Sequence, residues 1–94
     1  MAKKAKARHI LVKTKDACED LKTQLSEGGD FAALAREHSE CPSGQQGGDL
    51  GEFRPGQMVP EFDRVVFSCP VNTVQGPVKT QFGWHLLEVT SRTE

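Results

Sequence analysis

Hydrophobic and polar positions change period several times along the chain, and each change predicts a different element of secondary structure. Residues 7–13 alternate as a strand does, and this alternation places His9 on the same face as apolar neighbours. Between residues 16 and 27 the apolar positions recur every three or four residues, which predicts an amphipathic helix that ends at Gly28-Gly29. A second helix is predicted to begin after Asp30, whose side chain is of a type that caps helices.

The second half of the chain alternates between structure-breaking residues and short apolar runs. Residues 42–44 (Pro-Ser-Gly) predict a loop with one short helical turn, and residues 48–53 predict a short strand weakened by glycine. Pro60 is suited to the first turn of a further helix, because the N–H that proline lacks has no helical partner there. Residues 75–79 and 84–90 predict two strands joined by a hairpin turn.

This order of elements predicts an α+β fold. The hairpin makes the last two strands antiparallel, and the simplest sheet has four antiparallel strands with the first and last strands at its centre. About four helices would cover this sheet. The 94 residues contain no internal repeat and no linker, so we expect a single domain over residues 1–94.

Composition and charge narrow the possible functions. Hydrophobic residues make up 36% of the chain and charged residues 27%, as in ordinary globular proteins, and no apolar run approaches the ~20 residues of a membrane helix. The first fifteen residues carry six Lys/Arg and no acid, whereas the remainder carries six Lys/Arg and thirteen Asp/Glu. We interpret this basic segment as a solvated end rather than as a nucleic-acid contact.

The cysteines and the N-terminal segment predict the compartment. No apolar segment follows the basic N-terminal residues, so they do not resemble a secretory signal. Three cysteines, an odd number without CxxC spacing, predict free thiols in a reducing compartment. We therefore expect a cytoplasmic monomer, with neither a membrane nor a nucleic acid among its partners.

Residues 47–67 carry the clearest functional signal. Five of the nine glycines fall between Gly44 and Gly56, and large apolar residues are interleaved with them and follow them. Backbone bent tightly by glycine around apolar side chains predicts a small apolar pocket. Because the chain has no phosphate-binding glycine loop, and the HxxC pair of His38 and Cys41 lacks the further ligands that zinc needs, we predict neither a cofactor nor a metal.

Three blocks of this sequence resemble the parvulin family of peptidyl-prolyl cis/trans isomerases, and in particular its small bacterial members. The blocks are ARHILV at residues 7–12, the segment from FAALAREHSECPSG to PEFDRVVF at residues 31–67, and GPVKTQFGWHLLEV at residues 76–89. The resemblance implies the β-α-α-α-β-α-β-β fold of this family. It also implies cofactor-free isomerisation of X-Pro bonds in unfolded or flexible polypeptides, which would be the substrates and partners.

The resemblance assigns roles to particular residues. It implies a facing histidine pair and two further polar groups at the catalytic centre: His9, His85, Cys41 and Thr80. It implies a pocket for the proline ring, with an aromatic residue beside it: Leu50, Met58, Phe62 and Phe82. Phosphate-directed parvulins carry an extended basic loop after the first strand, whereas this chain has only residues 13–15 there. The resemblance therefore implies a phosphate-independent enzyme that prefers an apolar residue before proline.

An apolar pocket suits this reaction, because rotation about an amide bond requires no acid or base. The barrier of about 18–20 kcal/mol reflects the partial double bond of the planar amide. A twisted amide has a less polar carbonyl, so a water-poor pocket that clamps the proline ring favours the transition state. We interpret the two histidines as structural, each fixing the tautomer of the other and orienting Cys41 and Thr80.

Two alternatives stay open at the level of the sequence. Cys41 could be a covalent nucleophile paired with a histidine, although the aspartate that some family members carry at this position favours an electrostatic role near the rotating carbonyl. The domain could also hold extended polypeptide as a chaperone module with little catalysis.

Overall fold

The structure, a computed structural model, describes residues 3–93, in which four strands, three α-helices and one 3-10 helix occur. In chain order the elements are β1 (Lys4–Val12), α1 (Lys15–Ser26), α2 (Phe31–His38), the 3-10 helix (Pro42–Gln46), β2 (Asp49–Phe53), α3 (Pro60–Val66), β3 (Val74–Thr80) and β4 (Gly83–Thr93). The predicted α+β class and order of elements are confirmed, with the 3-10 helix as the fourth helix. None of the helices in this part of the chain is long and apolar enough to cross a membrane.

The strands form one antiparallel sheet in the order β2-β1-β4-β3, so the first and last strands are central, as predicted. In the central pair His9 lies opposite Leu87, and Leu11 lies opposite His85. Since side chains at alternate positions share a face, His9 and His85 become diagonal neighbours on one face of the sheet. Strand pairing thus brings together two residues that are 76 positions apart in the sequence.

Helices cover both faces of the sheet, and each face has its own apolar core. α1 and α2 pack on one face, where the buried residues are Ile10, Val12, Cys18, Leu21, Phe31, Ala35 and Leu86. α3 packs on the other face, where the buried residues are Ala5, Ala7, Phe53, Phe62, Val66, Cys69, Leu87 and Val89. Both histidines lie on the α3 face, where Phe62 of α3 contacts both imidazole rings.

Local signals explain where the helices begin and end. The Thr14 hydroxyl caps α1 by accepting the N–H of Ala17 at 3.1 Å. Gly28, with φ 101°, supplies the left-handed conformation after α1, and Pro60 occupies the first turn of α3, as predicted. The capping prediction for Asp30 is confirmed for its position but not for its side chain. This residue is at the N-cap of α2, but its side chain is exposed and makes no capping hydrogen bond.

Candidate active site

A mostly apolar cavity of about 370 Å³ opens on the α3 face of the sheet. Its lining residues are His9, Leu11, Glu40, Cys41, Pro42, Leu50, Met58, Val59, Phe62, Phe82 and His85. Seven of the eight residues that the sequence predicted for the site are among them. The eighth, Thr80, is buried behind the cavity and hydrogen-bonds to His85. The structure therefore brings all eight residues together.

His9 and His85 face each other at the bottom of the cavity. Their Nδ1 atoms are 3.0 Å apart, and both side chains are buried. Burial lowers the pKa of His9 from 6.5 to about 4, with a smaller contribution from the nearby His85, and burial also lowers the pKa of His85. Both imidazoles are therefore neutral at pH 7, and one Nδ1 donates its proton to the other.

A chain of hydrogen bonds connects Cys41 to this pair. The Ser43 hydroxyl donates to Cys41 Sγ at 3.3 Å, and His9 Nε2 lies 3.1 Å from the Ser43 oxygen. Because the Ser43 proton is already used, His9 donates through Nε2–H, and its Nδ1 is unprotonated. His85 must then supply the proton that lies between the two Nδ1 atoms.

The same polarity continues on the other side of the histidine pair. With its proton on Nδ1, His85 accepts through Nε2, and the Thr80 hydroxyl donates to it at 2.7 Å. The Thr80 oxygen accepts the backbone N–H of Phe82 at 3.2 Å. Within residues 3–93 no buried side-chain nitrogen or oxygen lacks a hydrogen-bond partner. The chain fixes both tautomers and ends on the Cys41 sulfur as an acceptor.

Ser43 is the member of this chain that the sequence analysis missed. It lies in the 3-10 helix directly after Pro42, and the turn of this helix brings its hydroxyl over His9. Residues 42–44 predicted a loop with one helical turn, which does not specify where a side chain points. A hydroxyl two residues after Cys41, inside a turn that begins at proline, is the signal that could have identified it.

The apolar walls are held by contacts outside the cavity. Leu50, Met58 and Val59 pack against the core cluster that contains Phe62. The turn before Met58 is connected to α3, because the Gly56 N–H donates to both carboxylate oxygens of Asp63, each 3.3 Å from the Gly56 nitrogen. These contacts hold the apolar wall of the cavity in place.

The other two thiols lie outside the cavity, and the described residues form no metal site. All three cysteines are free, and burial raises the pKa of Cys18 to about 11 and that of Cys69 in the same direction. Only Cys41 of the three lines the cavity. Across residues 3–93 no group of three or more His, Cys, Asp or Glu side chains is placed to hold a metal ion, and His38 is exposed at the end of α2.

Comparison with known proteins identifies the family. The family model of the rotamase, or PPIC-type PPIase, domain matches residues 3–91. The chain belongs to this family. A relative of this PPIC-type domain, the foldase protein PrsA of Geobacillus sp. (strain WCH70), is 47% identical over 92 residues, which are 97% of this chain and 33% of that protein.

Solved structures agree with this assignment. The crystal structure of the peptidylprolyl isomerase PrsA from Bacillus anthracis matches with a TM-score of 0.95 and 32% identity, over 99% of this chain and 43% of that one. The solution structure of NmPin, the parvulin of Nitrosopumilus maritimus, matches with a TM-score of 0.86 and 33% identity, over 97% of this chain and 99% of that one. The PPIC-type domain thus spans about a third of curated relatives such as the Geobacillus PrsA and nearly all of the Nitrosopumilus parvulin.

Proposed function

We propose that this PPIC-type domain is a peptidyl-prolyl cis/trans isomerase that acts on proline-containing polypeptides. The observation that carries the proposal is the apolar cavity whose base is a complete chain of neutral hydrogen-bonded groups. Leu50, Met58 and Phe62 offer an apolar surface to the pyrrolidine ring, and Cys41 lies at the edge of the same cavity.

Rotation rather than bond cleavage is the chemistry that this cavity supports. With the ring held between apolar side chains, the carbonyl before proline is free to turn, and the loss of amide polarity during this turn is favoured where water is excluded. An acceleration of about 10⁴-fold needs roughly 5.5 kcal/mol of selective transition-state stabilisation. The buried histidines stay neutral and hydrogen-bonded to protein groups, so their role in this proposal is to position Cys41 and Thr80.

The proposed role of Cys41 is polar rather than covalent, and a substitution tests it. An aspartate at position 41 accepts the same Ser43 hydrogen bond, so we expect Cys41→Asp to keep kcat/KM within about tenfold of the wild type, a change of about 1.4 kcal/mol. In Cys41→Leu the side chain matches the apolar cavity walls but cannot accept the Ser43 hydrogen bond, so we expect this variant to lose more activity than Cys41→Asp. Complete loss in Cys41→Asp, or a trapped thioester in the wild type, would establish covalent catalysis instead.

The substrates in this proposal need no phosphate. The link between β1 and α1 consists of Lys13 and Thr14, which is too short to form an extended basic loop. The apolar lining of the cavity supports a preference for an apolar residue before proline. The free cysteines support a reducing compartment, with the cytoplasm as the proposed location.

A second candidate function is the binding of extended polypeptide without much catalysis. The observation in its favour is Phe82, which is 63% exposed at the rim of the cavity and offers an aromatic surface to an unfolded chain. Exposed apolar surface of this kind binds polypeptide whether or not the X-Pro bond turns.

Isomerisation of short X-Pro peptides separates the two candidates. We expect the domain to accelerate cis/trans exchange of a Leu-Pro tetrapeptide, and to do so at least as well as with a phosphoserine-Pro peptide. The companion measurement is suppression of the aggregation of an unfolded protein at the same domain concentration. Suppression without acceleration of any peptide would replace the isomerase proposal with the binding module.

A further inference from the structure

We propose that Glu40 is a specificity-determining residue that makes the site discriminate against an acidic residue before proline. This inference rests on the proposed isomerase function and names a substrate preference of the same site. Among the described residues that line the cavity, Glu40 is the one with a formal charge, since both histidines are neutral. Its carboxylate therefore dominates the electrostatics of an otherwise apolar surface.

The position of Glu40 is fixed by the backbone around it. The Glu40 N–H donates to the carbonyl oxygen of Leu11 at 2.8 Å, which ties this residue to the end of β1. The next N–H, that of Cys41, donates to the Ser39 hydroxyl at 3.3 Å, and the same hydroxyl accepts the Leu11 N–H at 3.1 Å. Glu40 is thus held between Leu11 and Cys41 by a short network rather than by a mobile loop.

Glu40 also lines a second groove of about 280 Å³ between β1 and α1. The other lining residues of that groove are Val12, Lys13, Thr14, Ala17, Asp20, Leu21 and His38. With two carboxylates and one lysine, the groove carries a net negative charge at pH 7. Glu40 is the one described residue that lines both the cavity and this groove, and Asp20 is the second carboxylate of the groove.

Lys13 pairs with Glu40 from outside the cavity. Its ammonium lies 3.9 Å from the Glu40 carboxylate, and the lysine side chain is 82% exposed. An ion pair of that length and exposure is weak and is screened by salt. Lys13 does not line the cavity, so the formal charge nearest to a substrate bound there is the Glu40 carboxylate.

The orientation of the substrate places the residue before proline on this side. In the proposed mechanism the proline ring occupies the surface of Leu50, Met58 and Phe62, and the rotating carbonyl faces Cys41. That carbonyl belongs to the residue before proline. Since Glu40 adjoins Cys41 and lines the same cavity, the side chain of that preceding residue is the one nearest its carboxylate.

The test compares Lys-Pro and Glu-Pro tetrapeptides that are otherwise identical. We expect the wild type to show a kcat/KM about tenfold higher for Lys-Pro than for Glu-Pro, the scale of one charge interaction near a protein surface. Glu40→Gln should reduce this ratio to about twofold, and Glu40→Lys should invert it. Because each ratio is taken within one variant, a general change in activity cancels.

Glu37→Gln is the matched control, because it removes the same charge three residues away on α2. The Glu37 side chain is 71% exposed, and it lies outside both lining sets. An unchanged ratio in Glu40→Gln, or an equal change in Glu37→Gln, would overturn the proposal. If neither the wild type nor any variant accelerates a peptide, the isomerase function fails. The role of Glu40 is then decided by the ratio of the Kd values of the Lys-Pro and Glu-Pro peptides, measured by NMR titration for each variant.

Discussion

Replacing Gly48 with alanine is expected to destabilise the domain by at least about 4 kcal/mol and to remove the activity with it. Gly48 adopts φ 84°, and a Cβ at this position would overlap the carbonyl oxygen of His9. The Gly48 carbonyl accepts the His9 N–H at 2.9 Å, and its own N–H donates to the Ser43 carbonyl at 2.8 Å. Any shift that relieves the overlap therefore displaces both His9 and Ser43.

Gly51→Ala is the matched control for this prediction. Gly51 also has a left-handed φ, 71°, but a Cβ there would meet nothing within 4 Å. Gly51→Ala should therefore lower the free energy of unfolding only by the backbone strain, about 1–2 kcal/mol. Urea denaturation of the two variants measures the difference, and similar losses of unfolding free energy would show that the approach of Gly48 to His9 is not tight.

Acidification is expected to remove stability between pH 6.5 and about pH 4. The pKa of His9 is lowered to about 4 by burial, so the unfolded chain takes up a proton over this range that the folded domain excludes. His9 alone accounts for a loss of about 3 kcal/mol, and the lowered pKa of His85 adds to the loss in the same direction. The contribution is fully present above pH 6.5 and is lost as pH falls.

Activity should persist while the folded domain keeps both histidines neutral, and it should fall as the pH approaches 4. A proton on His9 would occupy the Nδ1 that accepts from His85, and a proton on His85 would occupy the Nε2 that accepts from Thr80, so either one breaks the hydrogen-bond chain. Measurements of unfolding free energy and of isomerisation from pH 8 to pH 4 test this. The control is His38→Asn, which changes an exposed histidine outside the cavity and should leave both profiles unchanged. An unfolding free energy that stays flat down to pH 5, or an activity that already falls with a midpoint near pH 6.5, would contradict the buried, neutral state of the pair.

Local sequence patterns predicted most elements of the fold, and β1 shows the limit of what such patterns can predict. The alternation that begins at residue 7 predicted a strand, but the strand begins at Lys4. Ala5 is buried opposite Phe53, while the lysines at positions 4 and 6 made this stretch look like a solvated end. An alanine is buried there because β2 and α3 cover it, which depends on contacts distant in sequence.

The candidate site shows the same boundary between local and distant information. The residue types and the resemblance indicated His9, Cys41 and His85, and strand pairing brings two of them together. The direction of the Ser43 hydroxyl depends on the register of a 3-10 helix, and the exposure of Glu40 to the cavity depends on how Leu11 anchors it. Neither can be obtained from the spacing of residues along the chain.

Rotation in an apolar pocket is the central claim, and Met58→Ala tests it most directly. Met58 lines the cavity, is only partly buried, and takes no part in the hydrogen-bond chain, so its truncation changes the apolar wall while the polar groups stay in place. Cis/trans exchange of a Leu-Pro tetrapeptide, followed by NMR, should be accelerated by the wild type and by Met58→Leu. Met58→Ala should lose about tenfold in kcat/KM, which corresponds to about 1.4 kcal/mol of transition-state stabilisation. Full activity in Met58→Ala, or no acceleration by the wild type, would contradict the claim.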